Sequence, residues 1–219
     1  MLLNEHRTAT GKPYKKLFLV DGHTSVYLQH ELKDFSGSFP AGHHAILAMP
    51  HEAESVLVGM SEYKYGYTWP SPFGDPATQN SYAALAVKQR FAKLAAVPLV
   101  FKEPSVAACD AFPTRKGYTD GLACVSEPST EPAWMTATFT TRGYLWFALK
   151  DARTLPLSLI WMANGGRHAS PWLGRDCCLG LEDVRAFFGE GVRASAESNF
   201  LSEHGVPTAF EFSRETRSR

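Results

Sequence analysis

Two adjacent histidines, His43 and His44, are the side chains of this sequence best suited to acid–base chemistry. Neutral histidine is the residue best able to move a proton near pH 7. The pair lies between a strand-like segment and an apolar one, and Pro40 and Gly42 are turn-forming residues beside it. On a strand, adjacent side chains point to opposite faces, so only one of the two imidazoles can face a given cleft.

A carboxylate that could work with a histidine lies far downstream, at Glu182. It follows residues 178–181, an apolar run that we expect to form a strand ending at this glutamate. A carboxylate there is costly to bury unless it has a partner or a chemical role. The ordinary structural alternatives are a surface glutamate at a strand end and partly buried, hydrogen-bonded histidines.

Two tryptophans, Trp161 and Trp172, flank a loop rich in glycine and arginine that precedes this glutamate. Tryptophan faces can stack on the apolar face of a sugar ring, and an arginine can fork onto hydroxyl oxygens. We expect Trp161 to belong to the core and Trp172, which follows Pro171, to form a cleft wall. Trp172 and Arg175 are therefore predicted to bind substrate.

The composition favours a globular protein with a sizeable core. The chain has 219 residues, of which 44% are hydrophobic and 20% charged. We predict one domain over residues 1–219, with flexible tails at 1–13 and 214–219. Lys plus Arg equals Asp plus Glu at 22 each, so no global field attracts nucleic acid or an anionic membrane. No uncharged run approaches the ~20 residues of a membrane helix.

Neither a cofactor nor a metal is predicted. The four cysteines form no C-x-x-C pair, and no Gly-rich phosphate loop is present. Recruiting His51 or Glu54 to the histidine pair would give only a poorly spaced ligand set. The N-terminus is charged too early for a secretory signal. Free thiols in a reducing compartment, and hence a cytoplasmic location, are expected.

Short β-like runs bounded by turn residues dominate the chain and predict a mainly antiparallel, all-β sandwich with one or two short helices. A hairpin is expected around Asp21-Gly22. Helices are predicted at 81–96 and 194–204. The predicted strands are 16–20, 25–32, 45–49, 55–59, 97–101, 133–140, 144–149, 157–162 and 208–213, with 133–162 forming a three-stranded meander.

The segment from Gly42 to Leu47 resembles the catalytic-histidine motif of the aldose 1-epimerases (galactose mutarotases). The stretch from Trp161 to Val184 resembles the late strand of the same superfamily, which carries its catalytic glutamate. The resemblance implies a galactose mutarotase-like β-sandwich with a sugar-binding cleft. It maps the catalytic residues onto His44 and Glu182. His43 and Asp120 join Trp172 and Arg175 as predicted substrate-binding residues.

The mechanism that this resemblance implies needs one acid and one base, and neither metal nor nucleotide. Glu182 removes the proton of the anomeric hydroxyl, and His44 protonates the ring oxygen. The open-chain aldehyde then rotates and recloses with the roles reversed. By analogy with paired acid–base sugar sites, we expect the two side chains to face each other across a gap of roughly 5–9 Å.

The sequence departs from the family pattern in two ways. Ala45 stands where the family usually has proline. The histidine lies early in the chain, and the family domain has ~250–350 residues, so on the order of 100 N-terminal residues have no counterpart here. A sandwich truncated in this way would expose an edge and a face, which favours a homodimer. A non-catalytic carbohydrate-binding sandwich is the alternative function, and a structural protein whose histidines and tryptophans only pack is a third.

Overall fold

A computed structural model describes residues 2–5, 11–73, 77 and 80–213. The chain is mostly antiparallel β-structure with two short helices, which confirms the predicted all-β class. It divides into two compact units, formed by the described parts of Met1–Phe39 with Ala209–Arg219, and by Pro40–Thr208. The single domain over 1–219 stays a prediction.

The smaller unit contains a three-stranded antiparallel sheet and a two-stranded one. The first is formed by β1 (Leu2–Glu5), β2 (Lys12–Leu19) and β3 (Val26–Lys33), and the second by β4 (Gly37–Phe39) and β17 (Phe210–Phe212). The predicted hairpin turn is present, with Gly22 at a φ of 79°. The predicted tail 1–13 thus includes strand residues, and the tail 214–219 lies outside the described residues.

The larger unit is a sandwich of two main sheets. The six-stranded sheet has the order β5-β16-β15-β12-β7-β8, and the four-stranded sheet has the order β11-β6-β13-β14. Their strands, with the short pair β9–β10, are β5 (Ala41–Ala48), β6 (Val56–Met60), β7 (Tyr63–Thr68), β8 (Arg90–Phe91), β9 (Val97–Pro98), β10 (Val106–Ala107), β11 (Ala111–Phe112), β12 (Tyr118–Ser126), β13 (Ala133–Phe139), β14 (Tyr144–Lys150), β15 (Leu157–Asn164) and β16 (Cys177–Arg185).

Both faces of the six-stranded sheet are partly covered. Leu122, Ile160 and Leu181 project from one face into a core shared with Met135 and Phe139 of the four-stranded sheet. The alternate residues on the same strands pack on the other face, beneath a segment that contains helices α1 (Gly191–Ala196) and α2 (Phe200–Glu203). This helical segment covers only part of the second face, and the remainder carries the candidate site.

The predicted meander is wrong in its third strand. β13 and β14 pair as expected, but β15 pairs with β12 and β16 in the other sheet. The physical reason is burial: all residues of β15 except Asn164 are buried, so this strand needs cover on both faces. β14 exposes Leu145, Phe147 and Leu149 and lies at the edge of its sheet.

The predicted helix at 81–96 is also absent, because its backbone donors have distant partners. The N–H groups of Ala84 and Leu85 donate to Asp120, and that of Ala86 donates to the carbonyl of Pro98. The predicted helix at 194–204 is divided between α1 and α2. Asn199 interrupts it with an extended backbone, and its side chain caps the second helix.

Candidate functional site

His44 and Glu182 lie side by side on the six-stranded sheet. β5 and β16 are antiparallel neighbours whose register places Glu182 opposite His44. The Nδ1 atom of His44 lies 3.0 Å from Oε1 of Glu182. Glu182 is therefore not at a strand end but within β16, and the expected gap between the two side chains is replaced by direct contact.

The two partners differ in exposure. The Glu182 side chain is 13% exposed and the His44 side chain 51%. Burial raises the pKa of Glu182 to about 7 and lowers the pKa of His44 below its ordinary 6.5, because desolvation disfavours the charged form of each. Just below pH 7 the pair therefore holds one exchangeable proton, and the two shifts favour its residence on Glu182.

A tryptophan and a glycine shape the surroundings of this pair. Trp161 of β15 lies opposite Gly180, and its ring centroid is 6.2 Å from that of His44. A Cβ atom at Gly180 would lie 3.1 Å from both Oε1 of Glu182 and Cβ of Trp161, so glycine leaves the space that these side chains occupy. Trp161 is buried, as expected of a core residue, but it faces the site and not the interior of the sandwich.

A surface pocket of about 540 Å³ lies beside the pair, within the range typical of small-molecule sites. Trp161 and Trp172 meet edge to face in its wall, with ring centroids 5.9 Å apart. The predicted binding residues Trp172 and Arg175 thus share one pocket. Its lining residues are Ile46, Trp161, Pro171, Trp172, Arg175, Asp176, Cys177 and Cys178.

No protein-family model, curated protein or solved structure matches this chain.

Two predicted binding residues are not brought to this pocket. His43 pairs with Asp183 in the register of β5 and β16, and its side chain lies on the opposite face of the sheet from that of His44. Asp120 is buried, accepts hydrogen bonds from two backbone N–H groups and forms an ion pair with Arg115. Its carboxylate lies inside the sandwich and is already bonded there.

Sequence reasoning did not single out two charged residues that the structure places here. The guanidinium of Arg167 lies over the rings of Trp161, Trp172 and Phe73, at 5.0, 5.3 and 5.7 Å from their centroids. Both carboxylate oxygens of Asp176 are buried and accept no hydrogen bond from any described residue. The Gly-rich, Arg-rich composition of the loop pointed to this region, but it did not distinguish Arg167 from Arg175.

The loop that carries Phe73 is anchored from one side. The indole Nε1 of Trp69 and the hydroxyl of Ser71 both donate to Oε1 of Glu190, at 2.9 and 2.7 Å. Trp69 and Phe73 pack with ring centroids 4.7 Å apart. This arrangement holds Phe73 against Arg167; residues 74–76 of the same loop lie outside the described part of the chain.

The thiol of Cys178 lines the pocket but is not a nucleophile near neutral pH, because burial raises its pKa to about 11. All four cysteines are free, as predicted. Within the described residues, no group of three His, Cys, Asp or Glu side chains could hold a metal ion. Nor does that part of the chain contain a helix long and apolar enough to cross a membrane.

A second ion pair lies directly behind the first. Lys150 of β14 reaches across the sandwich, with its Nζ 3.1 Å from Oδ1 of Asp183 and 2.7 Å from the hydroxyl of Ser158. All three residues are buried. Burial lowers the pKa of Lys150, and Asp183 opposes that shift by favouring the charged amine. This group joins the two sheets at the position where β16 also carries Glu182.

Proposed function

We propose that this protein binds a sugar beside His44 and Glu182 and interconverts its anomers by acid–base ring opening, as an aldose 1-epimerase does. The observation that carries the proposal is the direct contact between the two side chains, together with opposite pKa shifts. Mutarotation needs a base and an acid at a single carbon, and this pair supplies one carboxyl group and one imidazole in contact.

Direct contact suits the reaction because its two oxygens are close together. The anomeric hydroxyl and the ring oxygen are bonded to the same carbon, so the acid and the base need not be separated by the width of a sugar. Within the described residues, the remaining oxygen of Glu182 and the Nε2 atom of His44 have no hydrogen-bond partner. These two atoms are available to a ligand.

The proton balance of the pair closes over one ring opening. A carboxylate beside an imidazolium carries the same number of protons as a carboxylic acid beside a neutral imidazole. As Glu182 accepts the hydroxyl proton and His44 donates one to the ring oxygen, the pair passes from the first form to the second. Relative to the ordinary values of the two groups, the raised pKa of Glu182 and the lowered pKa of His44 both favour the second form.

The sugar ring is proposed to lie against the aromatic wall of the pocket. Trp161 and Trp172 present apolar surface there, and Arg175 lies at the lining with its donors. Aromatic faces bind the C–H face of a sugar, while charged donors orient its hydroxyl groups.

A second function, carbohydrate binding without catalysis, is favoured by one observation. The pocket is lined by Ile46, Trp161 and residues 171–178, so it lies beside the His44–Glu182 pair and does not surround it. A ligand could therefore occupy the pocket without contacting the acid and the base.

An exchange assay separates the two functions. NMR exchange or polarimetry on α-D-glucose and α-D-galactose is expected to show faster anomerisation than in buffer. Sugar binding by calorimetry without acceleration would support the binding protein, and no binding to any sugar would overturn both functions.

The proposed cellular location is the cytoplasm, and the proposed assembly is a homodimer. Four unpaired thiols favour a reducing, cytoplasmic compartment. The predicted homodimer is consistent with the exposed apolar side chains Leu145, Phe147 and Leu149 on the edge strand β14. Light scattering on the purified protein measures its mass directly.

A further inference from the structure

Arg167 is held in place by aromatic rings, and no acidic residue in the described part of the chain pairs with it. Its guanidinium lies over three of them, Trp161, Trp172 and Phe73. A cation over a ring face is attracted by the quadrupole of the ring, and three such contacts fix the side chain near the pocket wall. The aromatic rings hold the charge without neutralising it.

The hydrogen-bond donors of this guanidinium have no acceptor among the described residues. None of these residues forms an ion pair with it either. Arg115 shows the contrast, because it donates to the carboxylate of Asp120 and to the carbonyl of Ala108. Arg167 is only half-buried, so its five donors stay open to an incoming acceptor.

The accessible charge around the pocket is positive. Arg175 is exposed at the lining, and Arg167 lies over the two tryptophans of the wall. The opposing charge of Asp176 is buried, with both oxygens exposing less than 1 Å² each. A ligand that enters the pocket therefore meets arginine before it meets a carboxylate.

Arg167 is also tied to the acid–base pair through a shared neighbour. The ring centroid of Trp161 lies 6.2 Å from that of His44 and 5.0 Å from the guanidinium carbon of Arg167. A ligand whose reacting carbon lies at His44 and Glu182 would place a more distant substituent near Arg167.

We infer that Arg167 binds an oxyanion on the ligand, so that the preferred ligand is an anionic sugar carrying a carboxylate or a phosphate group. A guanidinium presents two parallel N–H groups that match the two oxygens of either anion. This inference rests on the proposed function for the identity of the ligand as a sugar. It adds the chemical class of the substituent.

The test is calorimetric binding of D-glucose, D-glucuronate and D-glucose 6-phosphate to the full chain, with inorganic phosphate alone as a further probe. At least one anionic sugar is expected to bind about tenfold to a hundredfold more tightly than glucose, the range of a charge-assisted hydrogen bond. The glucuronate and phosphate arms show which oxyanion is preferred.

Variants identify the residue responsible. Arg167→Gln is expected to remove the preference for the anionic sugar and to leave glucose binding within a few fold. Arg142→Gln is the matched control. It removes the same charge as Arg167→Gln, and Arg142 lies exposed in the turn between β13 and β14. Arg167→Lys keeps the charge but loses the fork, and is expected to retain part of the preference.

Three outcomes overturn the inference: equal affinity of the wild type for neutral and anionic sugars, an anion preference that survives in Arg167→Gln, or no sugar binding at all. The first two leave the proposed anomerisation intact. Conversely, Arg167-dependent binding of an anionic sugar without faster anomerisation overturns the proposed catalysis and leaves this inference standing. Should Arg167→Gln fail to fold, the wild-type comparison and Arg167→Lys decide.

Discussion

Two neighbouring carboxylates on β16, Glu182 and Asp183, have opposite surroundings. Glu182 contacts a half-exposed histidine on the open face of the six-stranded sheet. Asp183 contacts a buried lysine and a buried serine inside the sandwich. The second carboxylate is paired with the amine of Lys150, whose charged form it favours, whereas burial raises the pKa of the first to about 7.

The difference separates a structural pair from a chemical one. In a buried carboxylate–ammonium pair the removal of either partner is costly, because the other charge is then buried and uncompensated. A carboxylate beside a weakly basic imidazole is instead able to gain and lose a proton near neutrality. Position on the strand, and not residue type, decides which of the two carboxylates can do chemistry.

The largest expected effect is on activity at the open face. Glu182→Gln removes the base and keeps the shape, so the rate of anomerisation measured by NMR exchange should fall by about 10²–10⁴-fold, the typical contribution of a general base. The melting temperature near pH 5, where the carboxyl group of the folded protein is protonated and so has the charge and shape of the amide, should change little.

Glu62→Gln is the control, because it is the same substitution at an exposed glutamate. His44→Asn should cost less than Glu182→Gln, because water can replace a general acid in part. Full activity in Glu182→Gln would show that the pair is not the catalytic centre.

The next effect is on stability and concerns the buried pair of Lys150 and Asp183 inside the sandwich. Lys150→Met leaves Asp183 as a lone buried charge, which costs about 3–5 kcal/mol. The melting temperature, measured by calorimetry, is expected to fall by roughly 6–20 °C for a chain of this size.

Lys64→Met tests whether the loss comes from burial. Lys64 and Glu127 form a pair at 3.7 Å whose side chains are 42% and 57% exposed, so this variant should change stability little. Adding Asp183→Asn to Lys150→Met should recover part of the loss. Equal losses in the buried and the exposed pair would contradict the comparison.

The dependence of stability on pH should sharpen the contrast further. The pKa of Glu182 rises from its ordinary 4.5 to about 7 in the fold, so between these values the folded state binds more protons than the unfolded state. Its contribution to stability therefore falls as pH rises from 4.5 through 7, by about 3 kcal/mol in total.

His44 acts in the opposite sense, because its lowered pKa costs stability as pH falls below 6.5. Denaturation of the wild type and of Glu182→Gln at pH 5 and pH 8 isolates the glutamate. The glutamine variant should gain stability relative to the wild type at pH 8. A difference that is constant with pH would show that Glu182 titrates as in the unfolded chain.

The smallest expected effect concerns a third carboxylate, one with no partner among the described residues. Asp176→Asn removes a buried charge that no donor satisfies, and a gain of about 1 kcal/mol corresponds to a rise of ~2–4 °C in melting temperature. Asp21→Asn is the control, because asparagine followed by Gly22 suits the same exposed hairpin turn. A lower melting temperature for Asp176→Asn would reveal a stabilising role.

Local patterns in the sequence predicted local structure well. The hairpin around Gly22 and the pairing of β13 with β14 join segments that are adjacent in the chain and bounded by turn residues. The rule that adjacent strand residues point to opposite faces correctly separated His43 from His44.

Distant contacts decided what the sequence could not. The segment 81–96 has helix-forming residues, but Asp120 takes two of its N–H groups, and no local pattern records that partner. Likewise, β15 follows β14 in the chain but needs cover on both faces. Arg167 and Arg175 belong to the same loop, and only the folded positions of Phe73 and two tryptophans distinguish them.

The alternation of β16 sets a limit on how this protein can vary in length. Glu182 and Asp183 face opposite sides of one sheet because a single peptide bond separates them. Point substitutions can alter either face alone. Inserting or deleting one residue between Cys177 and Glu182 would instead exchange the two faces, sending the carboxylate of the open face into the sandwich. The number of residues in this strand is therefore constrained as tightly as their identity.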